Sequence, residues 1–197
     1  MYRLRLPIVD VARVAVFAAL IAALGLVPGL NLFGPVPITL QTLGVMLAGA
    51  ILGSWRAALA VGVFILLVAA GLPLLAGFRG GLGVFTGPSV GFLLGWLPGA
   101  ALIGWIVERG GRSPGIGRLL VASLAGGLGV VYLVGIPLWA LVGGLTLGQA
   151  ALLTLGFVPG DVAKAVLTAF VARGTQRAYP DAVPAVHRER LRAGKEL

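Results

Sequence analysis

Phe157-Val158-Pro159-Gly160-Asp161-Val162-Ala163-Lys164 sets an aspartate and a lysine three residues apart inside an otherwise apolar run. The Pro-Gly pair marks a helix start, because proline suits the first turn and glycine lets another backbone or a ligand come close. The i, i+3 spacing then puts both charges on one helix face. Apolar residues flank them in both directions, so both charges fall at membrane depth. Ionisable groups there cost a few kcal/mol each and commonly mark a pathway or a ligand site. The alternative is a structural ion pair that locks two helices together.

The rest of the chain fits a membrane setting. Of 197 residues, 59% are hydrophobic and 11% charged, and the mean hydropathy is +1.06. That balance excludes a soluble domain, and the recurring long apolar runs are the transmembrane-helix signal. With no cysteine there is neither a disulfide framework nor a thiolate metal site. The single histidine, His187, stands in a charged tail, which excludes a His-based metal site and a Ser-His hydrolase. No GxxxxGK[ST] loop occurs, so the chain carries no ATPase motif of its own. No catalytic residue, metal ligand or cofactor site is nominated.

The pattern predicts an all-α membrane protein, a six-transmembrane-helix bundle with both termini cytoplasmic. The spans fall at residues 8–27, 38–53, 57–72, 88–107, 119–142 and 159–173, with a short surface helix within 143–154. Residues 1–173 form the transmembrane substrate-binding domain and 174–197 a polar cytoplasmic tail. The first span could also be read as a cleaved signal peptide, but Asp10 and Arg13 interrupt it and it is long for such a core. Six spans with the N-terminus inside put 13 of the 15 basic residues on the inner side: Arg3, Arg5, Arg13, Arg56, Arg109, Arg112, Arg118, Arg173, Arg177, Arg188, Arg190, Arg192 and Lys195. The net charge of +9 is therefore topological, and no nucleic acid is invoked. On the first span, Ala15, Ala19 and Ala23 recur in steps of four and form a small-residue face for another helix, of this chain or of a partner.

The same topology gathers Gln41, Arg79, Asp161 and Lys164 at the outer ends of the helices. Nearly all polar chemistry away from the cytoplasmic side thus converges on one end of the bundle, which predicts an outward-facing small-molecule pocket. Gln41 inside an apolar helix needs a partner, either a ligand or a neighbouring helix. The glycine-rich segment after the third span is too apolar for a free linker and is expected to fold over the outer mouth. Among the aromatics at hand (Phe33, Phe78, Phe85, Phe92, Tyr132 and Trp139), Phe92 and Tyr132 are the candidates for the pocket wall.

Val36-Pro37-Ile38-Thr39-Leu40-Gln41-Thr42-Leu43-Gly44-Val45, Leu52-Gly53, Gly71-Leu72-Pro73, Gly87-Pro88 with Gly91-Phe92, and Pro159-Gly160-Asp161 with Lys164-Ala165 together resemble the BioY family. That family is the biotin-binding S component of energy-coupling-factor (ECF) transporters. The resemblance covers residues 8–173 and does not reach the tail. It implies a substrate-binding subunit of an ATP-driven vitamin uptake transporter in a prokaryotic plasma membrane, with biotin as transported ligand and no cofactor. It implies a transmembrane coupling subunit and a pair of ATPases as partners, with the Ala15, Ala19 and Ala23 face resembling the docking surface. Asp161 and Lys164 are then binding residues, with Gln41 beside them. Asp161 would accept a ureido N–H, Lys164 would donate to the ureido oxygen, and Arg79 at the mouth would meet the tail carboxylate. The alternative is a stand-alone proton-coupled secondary transporter or channel with Asp161 as proton carrier. An intramembrane enzyme is disfavoured, because no Ser-His pair, paired acid or HExxH lies within the spans.

Overall fold

The computed structural model describes residues 7–31, 34–111 and 114–180. Among them are seven helices and no strand: α1 (Ile8–Gly25), α2 (Gln41–Leu52), α3 (Ser54–Ala69), α4 (Val90–Glu108), α5 (Ile116–Gly143), α6 (Leu147–Leu155) and α7 (Val158–Ala178). By length and composition α1, α4 and α5 can each cross a membrane, and α6 with α7, bent by 55°, can count as a fourth crossing. Helices α2 and α3 are apolar but have 12 and 16 residues. At 1.5 Å per residue they reach only about 18 and 24 Å, short of a hydrocarbon core of about 30 Å.

Three departures from the expected boundaries have local causes. Helix α2 begins at Gln41 rather than residue 38, because Ile38 is held extended by reciprocal backbone hydrogen bonds with Leu30, at 2.9 and 3.0 Å. The link from α2 to α3 is Gly53 alone, whose φ of 81° is open to glycine at no steric cost. Helix α7 runs on to Ala178, past the expected end at 173. Its extra turn is anchored by Gln176, buried, whose amide donates to the Ala50 carbonyl of α2 at 3.2 Å. Of the expected tail, residues 181–197 lie outside the described residues, as do Arg3, Arg5, Phe33, Arg112 and His187.

Helix α2 is buried on nearly every side, with α1, α3, α4 and α7 around it. A helix apolar all round belongs in such an interior position. Helix α4 meets α5 through a glycine ridge, Gly91, Gly95 and Gly99, at four-residue spacing. A Cβ there would stand 2.9 Å from the Gly135 Cα, 3.1 Å from the Val131 Cα and 2.7 Å from the Gly126 carbonyl oxygen. The two backbones are therefore in contact, the packing that small residues permit between membrane helices. Gly126 lies in a π-helical stretch of α5, Ala125–Val130. A π turn holds an extra residue, which re-aims the helix face that follows it, and Tyr132 stands two residues beyond its end.

At the end of the bundle formed by the starts of α1 and α3, Asp10 and Arg56 pair at 3.2 Å with 1% and 3% of their side chains exposed. Arg56 Nε also donates to the Leu52 carbonyl at 2.7 Å. Arg56 is therefore a buried residue of α3, where the sequence suggested a connecting-loop charge. Nearby, the Ser54 N–H donates to Glu108 Oε1 at 3.0 Å, so a carboxylate from α4 caps the start of α3. Helix α1 turns Ala18, Ile21 and Gly25 inward and leaves Ala15, Ala19 and Ala23 exposed.

Candidate ligand-binding site

At the other end of the bundle a cavity of about 640 Å³, counted out to its open mouth, lies between the starts of α2, α4 and α7 and the middle of α5. Its mostly apolar lining with a few convergent polar groups suits a small organic molecule. Six of the seven residues from Val36 to Thr42 line it, all but Leu40. Pro37 and the extended Ile38 keep this strip from winding into α2, so its side chains and backbone face the cavity beside the helix start.

On the opposite wall, Pro159 in the first turn opens α7 and brings Asp161 to the cavity one turn from the N-terminus. A carboxylate there is favoured by the unpaired N–H groups and by the helix dipole. Asp161 is 5% exposed and Lys164 7%. Lys164 Nζ donates to Asp161 Oδ1 at 2.7 Å, and the Tyr132 hydroxyl donates to Asp161 Oδ2 at 2.6 Å. Both carboxylate oxygens are thus held, each keeping a further lone pair for a ligand N–H. Lys164 has three donors and spends one on Asp161.

The glycine-rich segment forms a roof. Leu75 and Arg79 exchange backbone hydrogen bonds at 3.0 and 3.2 Å, closing a small hairpin. Its tip uses left-handed backbone at Gly77, φ 77°, and at Phe78, φ 56°, the latter an uncommon conformation for a side-chain-bearing residue. Leu75, Ala76 and Arg79 line the cavity, with Arg79 at the exposed mouth, its Nε donating to the Ala76 carbonyl at 3.3 Å. Gln41 clasps this hairpin. Its amide nitrogen donates to the carbonyls of Leu74, at 3.0 Å, and Ile21, at 3.2 Å, while its Oε1 accepts from the Ala76 N–H at 3.2 Å. Gly25 makes the clasp possible, because a Cβ there would collide with both the Leu74 carbonyl and the Gln41 amide.

An aromatic wall completes the cavity. Phe92 meets Tyr132, Trp139 and Phe157 edge to face, with centroids 5.9 to 6.2 Å apart, and Trp139 stacks on Phe157 at 6.0 Å. Edge-to-face and stacked pairs of this kind add about 0.5–1.5 kcal/mol each beyond their burial. They make a firm apolar surface beside the Asp161 carboxylate.

All six residues nominated from the sequence as substrate contacts, Gln41, Arg79, Phe92, Tyr132, Asp161 and Lys164, border this one cavity. Ala15, Ala19 and Ala23 do not, lying on the exposed face of α1. Trp96, Phe157, Ser89, Thr39 and Thr42 also border it and were not nominated. For Trp96 a signal existed, since it follows Phe92 by one helix turn. Among the described residues no group of three His, Cys, Asp or Glu side chains could hold a metal.

Comparison with known proteins places this architecture. The model of the BioY family matches residues 2–181. The biotin transporter BioY of Rhodobacter capsulatus is 48% identical over 183 residues, 88% of this chain and 96% of that protein. The probable biotin transporter BioY of Bacillus subtilis is 47% identical over 171 residues, 85% of this chain and 90% of the relative. The crystal structure of the S-component for biotin from an ECF-type ABC transporter superposes with a TM-score of 0.81 at 34% identity, over 86% of this chain and 92% of that one.

Proposed function

The chain belongs to the BioY family, and from that premise we propose that it is the substrate-binding membrane subunit of an ATP-driven biotin uptake transporter. The observation that carries the reading is the buried Asp161 carboxylate, fixed by Tyr132 and Lys164 in the wall of a cavity with one apolar, aromatic side. Biotin has matching chemistry: a largely apolar bicycle, a ureido group with two N–H donors and a carbonyl, and a tail ending in a carboxylate. Asp161 accepts a ureido N–H, and Lys164 donates to the ureido oxygen. Phe92 and Tyr132 flank the bicycle. Arg79 at the mouth offers its terminal N–H groups to the tail carboxylate, the bidentate geometry arginine favours. Gln41 serves the site by holding the roof.

The topology that goes with this reading has six crossings and cytoplasmic termini in the plasma membrane of a prokaryote. Helices α1 to α5 make five, with α2 and α3 the short ones, and the bent α6–α7 pair makes the sixth. The inward excess of arginine and lysine supports that orientation. The partners are a transmembrane coupling subunit and ATPase subunits, with no cofactor in this chain and no nucleic acid. Exposed Ala15, Ala19 and Ala23 offer the coupling subunit a smooth face for close helix approach. ATP hydrolysis belongs to the partners, and residues 174–197 follow the membrane domain on their side.

Binding of radiolabelled biotin to the purified chain tests the proposal. Saturable binding at one site per chain, competed by unlabelled biotin, is the expected result. Absence of saturable binding by folded protein overturns it, and proton-driven uptake in vesicles free of any ATPase would replace it with a stand-alone carrier.

A further inference from the structure

A second cavity lies far along α7 from Asp161. Ile116 at the start of α5 and Phe170, Arg173, Gly174 and Arg177 of α7 line it, and it measures about 680 Å³ including its open side. The four α7 residues follow i, i+3, i+4, i+7 spacing, one continuous stripe of the helix. Arg173 follows Asp161 by 12 residues, about 18 Å of helix axis. The stripe therefore sits at the opposite edge of the apolar layer from the first cavity.

Its composition is specific. Two guanidinium groups share the lining with two outward apolar side chains, Phe170 at 63% and Ile116 at 43% exposed. Among the described residues no carboxylate lines it. The Pro114 carbonyl accepts from Arg173 Nη1 at 3.0 Å and so fixes that side chain against the loop before α5. Between the arginines Gly174 leaves open space, with nothing within 4 Å of where a Cβ would stand. Along the helix the order is apolar ring, first arginine, gap, second arginine. An anion joined to a hydrocarbon chain has the same order when it lies in a leaflet: acyl chain, phosphate, water.

We propose that this cavity binds the phosphate of an anionic membrane phospholipid, Arg173 and Arg177 taking its oxygens while Phe170 and Ile116 pack on an acyl chain. Arginine forks match phosphate oxygens, and basic pockets between membrane helices on the cytoplasmic side suit such headgroups. The assignment to the cytoplasmic leaflet rests on the topology proposed above; the lipid chemistry does not rest on biotin. An acidic segment of a partner protein would also suit two guanidinium groups, but it would leave Phe170 and Ile116 unmatched at the lipid boundary.

The test uses the full chain in detergent. Phosphatidylglycerol, phosphatidylcholine of the same acyl chains, and inorganic phosphate are titrated separately. Lipid retention is read by native mass spectrometry, thermal stability is read alongside it, and biotin affinity is measured on the same samples. Wild-type protein is expected to retain phosphatidylglycerol preferentially and to be stabilised by it. Arg173→Gln with Arg177→Gln should lower that preference roughly tenfold or more. Arg177→Gln alone, a change at an exposed position that spares the Pro114 contact, should give part of the loss. Biotin affinity should stay within about twofold in both variants. Equal retention of the two lipids by wild type, or an unchanged preference in the double variant, overturns the proposal. Inorganic phosphate displacing the lipid at similar concentration makes this a free-anion site instead. Intact lipid preference with loss of a co-purifying subunit makes it a protein dock. Failure of wild type to bind biotin strikes the transport reading and leaves the lipid result standing.

Discussion

At the cavity end, Asp161 and Lys164 meet at 2.7 Å; at the opposite end, Asp10 and Arg56 meet at 3.2 Å, and all four side chains are at least nine-tenths buried. The two pairs differ in what they join. Asp161 and Lys164 belong to one turn of one helix, so their bond by itself joins no two helices; the link from Asp161 to α5 is the Tyr132 hydroxyl. Pairs at that spacing stabilise a helix by a few tenths of a kcal/mol, far below the cost of burying two charges. Asp10 and Arg56 are 46 residues apart in sequence and join α1 to α3. Arg56 further ties down the end of α2, and no described cavity borders this pair. The helix-locking role first weighed for Asp161 and Lys164 thus describes Asp10 and Arg56 better. Buried charge beside open space and an aromatic wall reads as ligand chemistry, whereas buried charge packed between helices reads as architecture.

The largest expected effect tests the architectural end. Arg56→Ala removes the guanidinium that Asp10 meets at 3.2 Å, and removing one member of a buried pair costs about 3–5 kcal/mol. The unfolding midpoint should fall sharply, while the folded fraction binds biotin within about threefold of wild type, or about 0.7 kcal/mol. Loss of biotin affinity with unchanged thermal stability would erase the distinction between the two ends.

Next in size is the ligand end. A hydrogen bond with a charged partner contributes roughly 1.5–3 kcal/mol. Asp161→Ala should therefore weaken biotin binding by about tenfold to more than a hundredfold, and Lys164→Ala similarly. The double substitution should lose less than the sum of the singles, because the two groups act as one unit. Affinity and thermal stability on the same samples separate this from a purely structural pair. Folded Asp161→Ala protein that binds biotin within about threefold of wild type removes Asp161 from the ligand set.

Tyr132 carries the next prediction. Its hydroxyl holds Asp161 Oδ2 at 2.6 Å, so Tyr132→Phe leaves the aromatic wall intact and frees one carboxylate oxygen. Biotin binding should weaken by about threefold to thirtyfold, less than for Asp161→Ala, since the carboxylate itself remains. A loss equal to that of Asp161→Ala would mean that the tyrosine, not the aspartate, makes the decisive contact.

The contrast between the two ends also explains what the sequence made legible. Asp161, Lys164 and Gln41 stand out because each interrupts an apolar run, and such interruptions are rare enough to be read singly. The loop before α2 was visible through Pro35 and Pro37, though not its extension to Leu40, and the roof was visible through its glycines. Arg56 was not legible as buried. An arginine just after Gly-Ser-Trp looks like a loop residue, and its partner lies a whole hairpin of helices away. Trp96 could have been read one helix turn after Phe92, whereas Phe157 sits in the bend before α7, where no helical periodicity reaches it. The end of α7 was obscured by Gly174, which reads as a stop in sequence but lies inside a helix held by Gln176.

The smallest effect on the isolated chain should come from α1, and that smallness is its test. Ala15, Ala19 and Ala23 are exposed, opposite the face that buries Ile21 in the bundle, and none of them borders the biotin cavity. Enlarging one of them therefore removes no internal contact. Ala19→Leu should leave thermal stability unchanged within about 0.5 kcal/mol, the usual range for a surface substitution, and biotin affinity unchanged as well. The same substitution should matter once a partner helix approaches, because close packing between membrane helices depends on small residues and one isobutyl group holds the backbones apart. Co-purification with the coupling subunit, or biotin uptake in cells that hold the ATPases, should fall while binding stays intact. Ala15→Leu provides a second position one turn away on the same face. If both variants assemble and transport like wild type, the exposed alanine face meets lipid alone, and the coupling subunit must dock elsewhere on the bundle.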